Sequence, residues 1–401
     1  MAIHLTQPQM RRFLLGLQGL WPGRRWLGKQ GAALAICAMQ GLQIDPVNVL
    51  APSADLVLWG RVDQYHPTHL DELLHQDRQF FAHGGWLAIY PMADLPLYRV
   101  DMQRRKHTSH YAELERSQPE LLQRVLDEIE RDGPRGSRKM AGNSVRAYRS
   151  GKDSGLALYY LWLTGRLMIA GRDGRDRVYD LAERIADPAL LQPADPAHAQ
   201  AALTLKAVRM AGLAGPRLIR ASLQANGPSP VNLAQAQKRI DGWLADGTLL
   251  EVTVEGWPSP CYAHQQDEPA LREVAAGQLP AAWQPLGATT LQQVTFLSPL
   301  DMVSARGRAK QLFGFEYTWE IYKKAETRQY GPYTMPILYG DRLVGRVDAR
   351  LDRARATLIV NGRWLEADFA ADGAFEYAWQ AGLQALAGFL GAQSIINAAN
   401  G

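Results

Sequence analysis

Two stretches of helix followed by hairpin dominate the middle of the chain. Leucines, a valine and an isoleucine recur at spacings of three and four from Leu121 to Ile129, and a Gly133-Pro134 turn stops them. Such spacing builds one apolar helix face. A second helix is predicted over 156–165, then a short strand at Leu167-Met168-Ile169, a Gly-Arg-Asp-Gly-Arg tip and a return strand over 177–181. The order recurs further on. A helix over 201–213 meets Gly215-Pro216, a helix over 231–244 stops at Asp246-Gly247, and a strand over 249–254 turns at Glu255-Gly256 toward Cys261-Tyr262. Each copy has a tryptophan, Trp162 or Trp243, in the helix before its strand. Helices followed by a hairpin, glycine-rich and basic at its tip in the first copy, predict a winged helix. Residues 6–60 look helical and read as a divergent first copy.

From about residue 290 the period changes to two. Phe315 to Tyr322 alternates as a half-buried strand, and 333–338, 342–349 and 356–360 continue at short spacing. Such a series predicts a small antiparallel barrel or curled sheet. The Pro- and Ala-rich stretches 187–199 and 267–288 are the expected connectors. Residues 377–401 carry no charge, but Gln380, Gln384 and Gln393 interrupt them, while Trp379, Leu383, Leu386 and Leu390 fall at helical spacing. That predicts a terminal amphipathic helix rather than a membrane span.

The chain has 401 residues, 47% hydrophobic and 21% charged, enough for two to four packed domains and too apolar for disorder. Cys37 and Cys261 alone make neither a disulfide framework nor a cysteine-built metal site. With no apparent signal peptide, a soluble cytoplasmic protein is expected. The net charge of +4 decides little; its distribution says more. Between Arg131 and Arg177 eleven Lys/Arg face four Asp, and between Arg306 and Arg363 twelve face six acids. Either block alone is as readily a solvated face as a nucleic-acid surface; two in one chain favour a polyanionic partner.

No GxGxxG, Walker, HExxH, CxxC or GxSxG motif is present. His66, His69, His75 and His83 form the densest histidine group, without a zinc spacing, so no metal is expected. The sharpest local feature is Leu42-Gln43-Ile44-Asp45-Pro46-Val47-Asn48-Val49-Leu50. Gln43 and Asp45, two apart, project from one face of an extended segment. The structural alternative makes Asp45 the N-cap of a following helix with Pro46 at its first position.

The run Leu-Gln-Ile-Asp-Pro-Val-Asn-Val resembles the signature of the AlkZ/YcaQ-like winged-helix DNA glycosylases, and within them the AlkX branch, whose catalytic motif is glutamine, an apolar residue, then aspartate. Further segments match in order: Trp59-Gly60-Arg61-Val62, Phe81-Ala82-His83, Arg177 to Leu181 with Arg184, Leu297-Ser298-Pro299-Leu300-Asp301, Gln311-Leu312-Phe313, Arg328-Gln329-Tyr330-Gly331 and Leu343 to Asp348. Together they cover nearly the whole chain. Two departures stand out. Gly84-Gly85 follow His83 where the family has glutamate, and Asn143 to Tyr148 replace expected tryptophans.

The resemblance implies an α+β chain of tandem winged-helix units followed by a C-terminal antiparallel β-barrel. The units would be 1–115, carrying the Gln-Φ-Asp motif, 116–190 and 191–266, with the barrel and its terminal helix at 285–401. It implies a monofunctional DNA glycosylase that hydrolyses the N-glycosidic bond of cationic N7-alkylpurines in double-stranded DNA, interstrand crosslinks included. Gln43 and Asp45 would be catalytic, and Asn48, His83, Arg172, Arg175, Arg328 and Tyr330 would contact DNA. No cofactor, metal or membrane is called for, and the protein is expected to act as a monomer. Neutral bases such as uracil and hypoxanthine, which need a proton to leave, are expected to resist it. A non-catalytic winged-helix regulator is the alternative; it has no need of the Gln43/Asp45 pair.

Overall fold

The computed structural model describes residues 2–398 apart from 46, 85–86, 143, 146–150 and 175. The helix-then-hairpin reading is reproduced in outline. Helix Pro119–Asp132 buries Leu121, Leu122, Val125, Leu126 and Ile129, starts with a proline at its first turn and ends at Gly133, whose φ is 81°. Helix Asp153–Leu163 leads into strands Leu167–Asp173 and Asp176–Leu181, which pair antiparallel around a bulge between Ile169 and Gly171. In the next copy, helices Pro196–Ala211, Pro216–Asn226 and Leu233–Ala245 precede strands Leu249–Val254 and Cys261–His264. Asn232 and Gln235 close a capping box at the start of the third helix. One partner of this sheet comes from far away in sequence. Ile3–Leu5 pairs in parallel with Leu249–Val254, Ile3 opposite Val252.

In the N-terminal part, helices Gly28–Ala38, Ser53–Trp59 and Pro67–His75 surround a small sheet in the order Leu42–Gln43, Ala88–Pro91, Phe80–His83, while helix Gln7–Leu17 packs its Met10, Phe13 and Leu14 into a separate cluster with Val252, Leu271 and Trp283. Its core is continuous with that of the C-terminal part: Ile36, Leu56, Trp59 and Phe80 belong to one buried cluster with Phe296, Met335, Val347 and Trp379.

The C-terminal sheet is a curled half-barrel, and the expected barrel is not what forms among the described residues. Five strands run in the order Thr295–Phe296, Thr334–Tyr339, Arg342–Asp352, Thr357–Leu365, Ser394–Asn397, and the two outer strands do not pair with each other. Nor is the sheet wholly antiparallel, because Ser394–Asn397 returns alongside Thr357–Leu365 in parallel. Helix Gly373–Leu390 makes that crossover; it buries Trp379, Leu383 and Leu386 as their spacing predicts and Phe375 besides, while Leu390 is half-buried and the expected helix gives way to strand beyond it. With this helix and the N-terminal helices sharing its core, the sheet has no need to close on itself.

Phe315 to Tyr322 is not a strand. Residues 314–319 make no ladder and Glu320–Tyr322 is a single 3-10 turn. The cause is Glu320, which is 2% exposed. Its Oε2 accepts the backbone N–H groups of Gln329 and Tyr330, both at 2.9 Å. A buried carboxylate that captures a neighbouring loop in this way competes with a ladder. No helix among the described residues is long and apolar enough to cross a membrane.

Candidate active site

The Gln43-Ile44-Asp45 motif lies where a helix, a sheet and a cleft meet. Beyond helix Gly28–Ala38, Gln40 and Gly41 both adopt positive φ, and a Cβ on Gly41 would stand 3.0 Å from the Tyr90 ring. Only glycine turns the chain there without strain. Leu42 and Gln43 then pair with Ile89 and Ala88, and the Ile44 N–H donates to the Leu87 carbonyl. Asp45 leaves the sheet into a turn, its Oδ1 accepting the Val47 N–H at 2.8 Å. It caps no helix, since the next one begins at Ser53 with Pro52 as its N-cap. Pro46 lies outside the described residues.

Asp45 and Asn48 line a cleft of about 410 Å³. Its other polar walls are Asp55 from helix Ser53–Trp59, Asp71 and His75 from helix Pro67–His75, and Arg172 from the hairpin of strands Leu167–Asp173 and Asp176–Leu181. Ile44, Leu70, Leu74 and Ile89 supply apolar wall. Of the residues singled out in the sequence, Asp45, Asn48 and Arg172 are thus brought together. Arg175 lies outside the described residues. Gln43 is held beside the cleft rather than in its wall, its Oε1 accepting from Arg306 Nη2 at 2.6 Å.

Asn48 is tied to the C-terminal sheet: Arg353 Nη2 donates to its Oδ1 at 2.9 Å and to the Leu50 carbonyl at 3.0 Å. A second tie is fully buried. Arg61 and Asp301, each with a side chain 1% exposed, form a two-pronged ion pair at 2.7 and 2.9 Å. Arg61 Nε also donates to the Gln18 carbonyl, and its Nη1 to that of Val57. Ser53 and Ser298 meet at 2.7 Å beside it. The segment 298–306 that holds Gln43 is therefore anchored to the helix that carries Asp55.

Three expected DNA contacts sit elsewhere. His83 is a correction: it is 2% exposed, edge-on to Trp162 at 5.5 Å, and neither ring nitrogen finds a hydrogen-bond partner among the described residues. Burial pushes its imidazole down to about 4, so it stands neutral and cannot reach a phosphate. Arg328 donates to the carbonyls of Glu320, Ile321 and Lys323, and Tyr330 sits 4.4 Å from the Arg346 guanidinium and 5.3 Å from the Trp364 ring. Neither lines the cleft.

The His83 geometry gives a first prediction. Between its ordinary value near 6.5 and its folded value near 4, the unfolded chain binds the extra proton. Stability at this site is therefore lost as pH falls through that window, by about 3 kcal/mol in all. Urea unfolding of His83→Leu at pH 7.5 and pH 4.5 should show a smaller acid loss than wild type. An equal loss would mean the ring is not the acid-sensitive group.

Sequence reasoning missed Asp55, Arg306 and Arg353. Arg306 and Arg353 fell inside the second basic block without being singled out. The acidic start of Asp55-Leu56-Val57-Leu58-Trp59 was the available signal for Asp55. Asp55 is 7% exposed, and Tyr65 donates to its Oδ1 at 2.6 Å. Burial pushes its carboxyl up to about 6 in spite of that bond. Burial and the charge of Asp45 likewise push the Tyr333 phenol up.

A cleft that gathers three carboxylates around one arginine supplies groups for acid–base chemistry, and the exposed cations of the first basic block can draw a polyanion to the surface. The comparisons with known proteins agree. A profile of the family described as DNA glycosylase AlkZ-like matches residues 36–389, and the chain belongs to that family; its substrate is DNA. The DNA glycosylase AlkZ of Streptomyces sahachiroi has a similar fold, with a TM-score of 0.60 at 14% identity over 98% of this chain and 99% of that one.

Proposed function

We propose that this DNA glycosylase, of the AlkX type, hydrolyses the N-glycosidic bond of cationic N7-alkylpurines, both monoadducts and N7-linked interstrand crosslinks. The observation that carries the reading is Asp45 in the wall of a cleft faced by Arg172. Alkylation at N7 makes the base a good leaving group and leaves an oxocarbenium-like sugar to be met by water. The Asp45 carboxylate stabilises that charge and takes a proton from the attacking water. Gln43, fixed by Arg306, orients the water or the deoxyribose through its amide. Asn48, held by Arg353, helps fix the geometry of the loop.

The helix-then-hairpin segments act as winged-helix units within the divisions 1–115, 116–190 and 191–266, the C-terminal sheet with its helix is the fourth division, 285–401, and the chain works as a monomer at the bacterial nucleoid. Arg131, Arg135, Arg138 and Lys139 are engaged by acids at 2.9–3.6 Å, so the first basic block is partly neutralised within the protein. Three of these four cations remain well exposed, and surface pairs of this kind contribute little, so phosphates can replace the acids. Binding to undamaged duplex should therefore weaken steeply with salt. Arg172→Ala should lower the slope of log K against log salt by about 1; an unchanged slope would take the hairpin off the DNA.

The test of the substrate class is a duplex joined by one N7-linked nitrogen-mustard crosslink, followed on a denaturing gel. The proposed substrate class requires its conversion to single strands after alkali at a rate comparable to that on N7-methylguanine. An intact crosslink beside a cleaved monoadduct would restrict the class to small adducts.

A further inference from the structure

With Asp45 alone, the site would have one carboxyl, used as the base, and would take only substrates that need no proton. The cleft contains a second carboxyl from a different element. Asp55 sits in the first turn of helix Ser53–Trp59 and lines the same cavity as Asp45. Its Oδ1 is engaged by Tyr65, while Oδ2 has no hydrogen bond to any described residue. The groups that face it are Asp45, Asp71, His66, His75, Arg172 and Tyr65. Asp71 is partly occupied with His75, at 3.7 Å. Arg172 makes no ion pair with Asp55, which leaves burial the larger influence on that carboxyl.

Resting on the glycosylase reading above, we propose that Asp55 is a second catalytic residue that protonates the departing base, which admits neutral purine lesions as substrates under mildly acidic conditions. The step balances. The C1′–N9 bond breaks with its electron pair going to the base, and the Asp55 carboxyl proton goes to a base nitrogen. Water adds its oxygen to C1′ and gives its proton to Asp45. Solvent then carries that proton from Asp45 back to Asp55. The net reaction is addition of one water across the glycosidic bond. Two carboxyls in one cleft, one acting as acid and one as base, are the arrangement that glycoside hydrolysis uses. Burial holds Asp55 near 6, which keeps a working fraction protonated below neutrality. A cationic N7-alkylpurine needs no such donor, so the two lesion types should separate the two carboxyls.

The experiment measures single-turnover base release between pH 5.5 and 8 from two duplexes, one carrying hypoxanthine and one N7-methylguanine, above an enzyme-free control. Wild type should release hypoxanthine at least tenfold faster at pH 5.5 than at pH 7.5. Asp55→Asn should lose at least tenfold on hypoxanthine at pH 5.5 and flatten its profile, a loss at least tenfold greater than any it causes on N7-methylguanine. Tyr65→Phe removes a hydrogen bond that favours the charged carboxylate, so it should move the hypoxanthine midpoint to higher pH. It also serves if Asp55→Asn does not fold. Release of N7-methylguanine without hypoxanthine at any pH would overturn the proposal and leave the glycosylase reading standing. So would an Asp55→Asn profile that keeps its slope, or a Tyr65→Phe midpoint that does not move. Failure of wild type on both lesions would sink the glycosylase reading and this proposal with it.

Discussion

Asp45→Asn is expected to slow release of N7-methylguanine by two to four orders of magnitude, about 3–5 kcal/mol in the barrier, with little change in DNA affinity. The substitution keeps size and shape, and the amide oxygen can still accept the Val47 N–H that Asp45 accepts at 2.8 Å. What it removes is the negative charge beside the developing oxocarbenium ion and the base for the water. Asp45 caps no helix, so stability should change by less than about 1 kcal/mol and the rate loss cannot be charged to unfolding. Near-wild-type rates in the folded variant would remove Asp45 from the chemistry.

Asp301→Ala should destabilise the fold by about 3–5 kcal/mol, the largest stability effect anticipated for one residue. The substitution leaves the Arg61 guanidinium 1% exposed with no counter-charge. It also removes the acceptor of the Val303 N–H, at 3.0 Å. Arg61→Met combined with Asp301→Leu should recover only part of the loss, because the Gln18 and Val57 carbonyls then lose their donor. Since 301–306 leads to the arginine that holds Gln43, the single variant should also lower activity below its melting point. Chemical denaturation measures the first effect, and a change under 1 kcal/mol would contradict the account.

The elements legible in the sequence are those with a local cause. Leu121 to Ile129 and Trp379 to Leu386 announce their helices because their burial follows from spacing alone. The hairpin around Arg172 is legible because its glycines sit at the tip between apolar strands. Ile3–Leu5 pairing with Leu249–Val254 has no local signature, since the partners lie about 250 residues apart. Phe315 to Tyr322 alternates correctly and still makes no strand, because Glu320 binds backbone groups that the pattern cannot show. At the site, the motif pointed to Asp45 and the basic tip to Arg172, but Asp55 emerged only when two helices and a hairpin closed around one cavity. His83 was misplaced because a motif match carries no information about depth.

The most direct measurement follows one duplex with a single N7-methylguanine under excess enzyme, quantifying free 7-methylguanine and abasic sites together. The account predicts equal amounts of both, appearing at the same rate, with the strand intact until alkali is added. DNA that is bound with no base released, or a strand cut without an abasic intermediate, would contradict it.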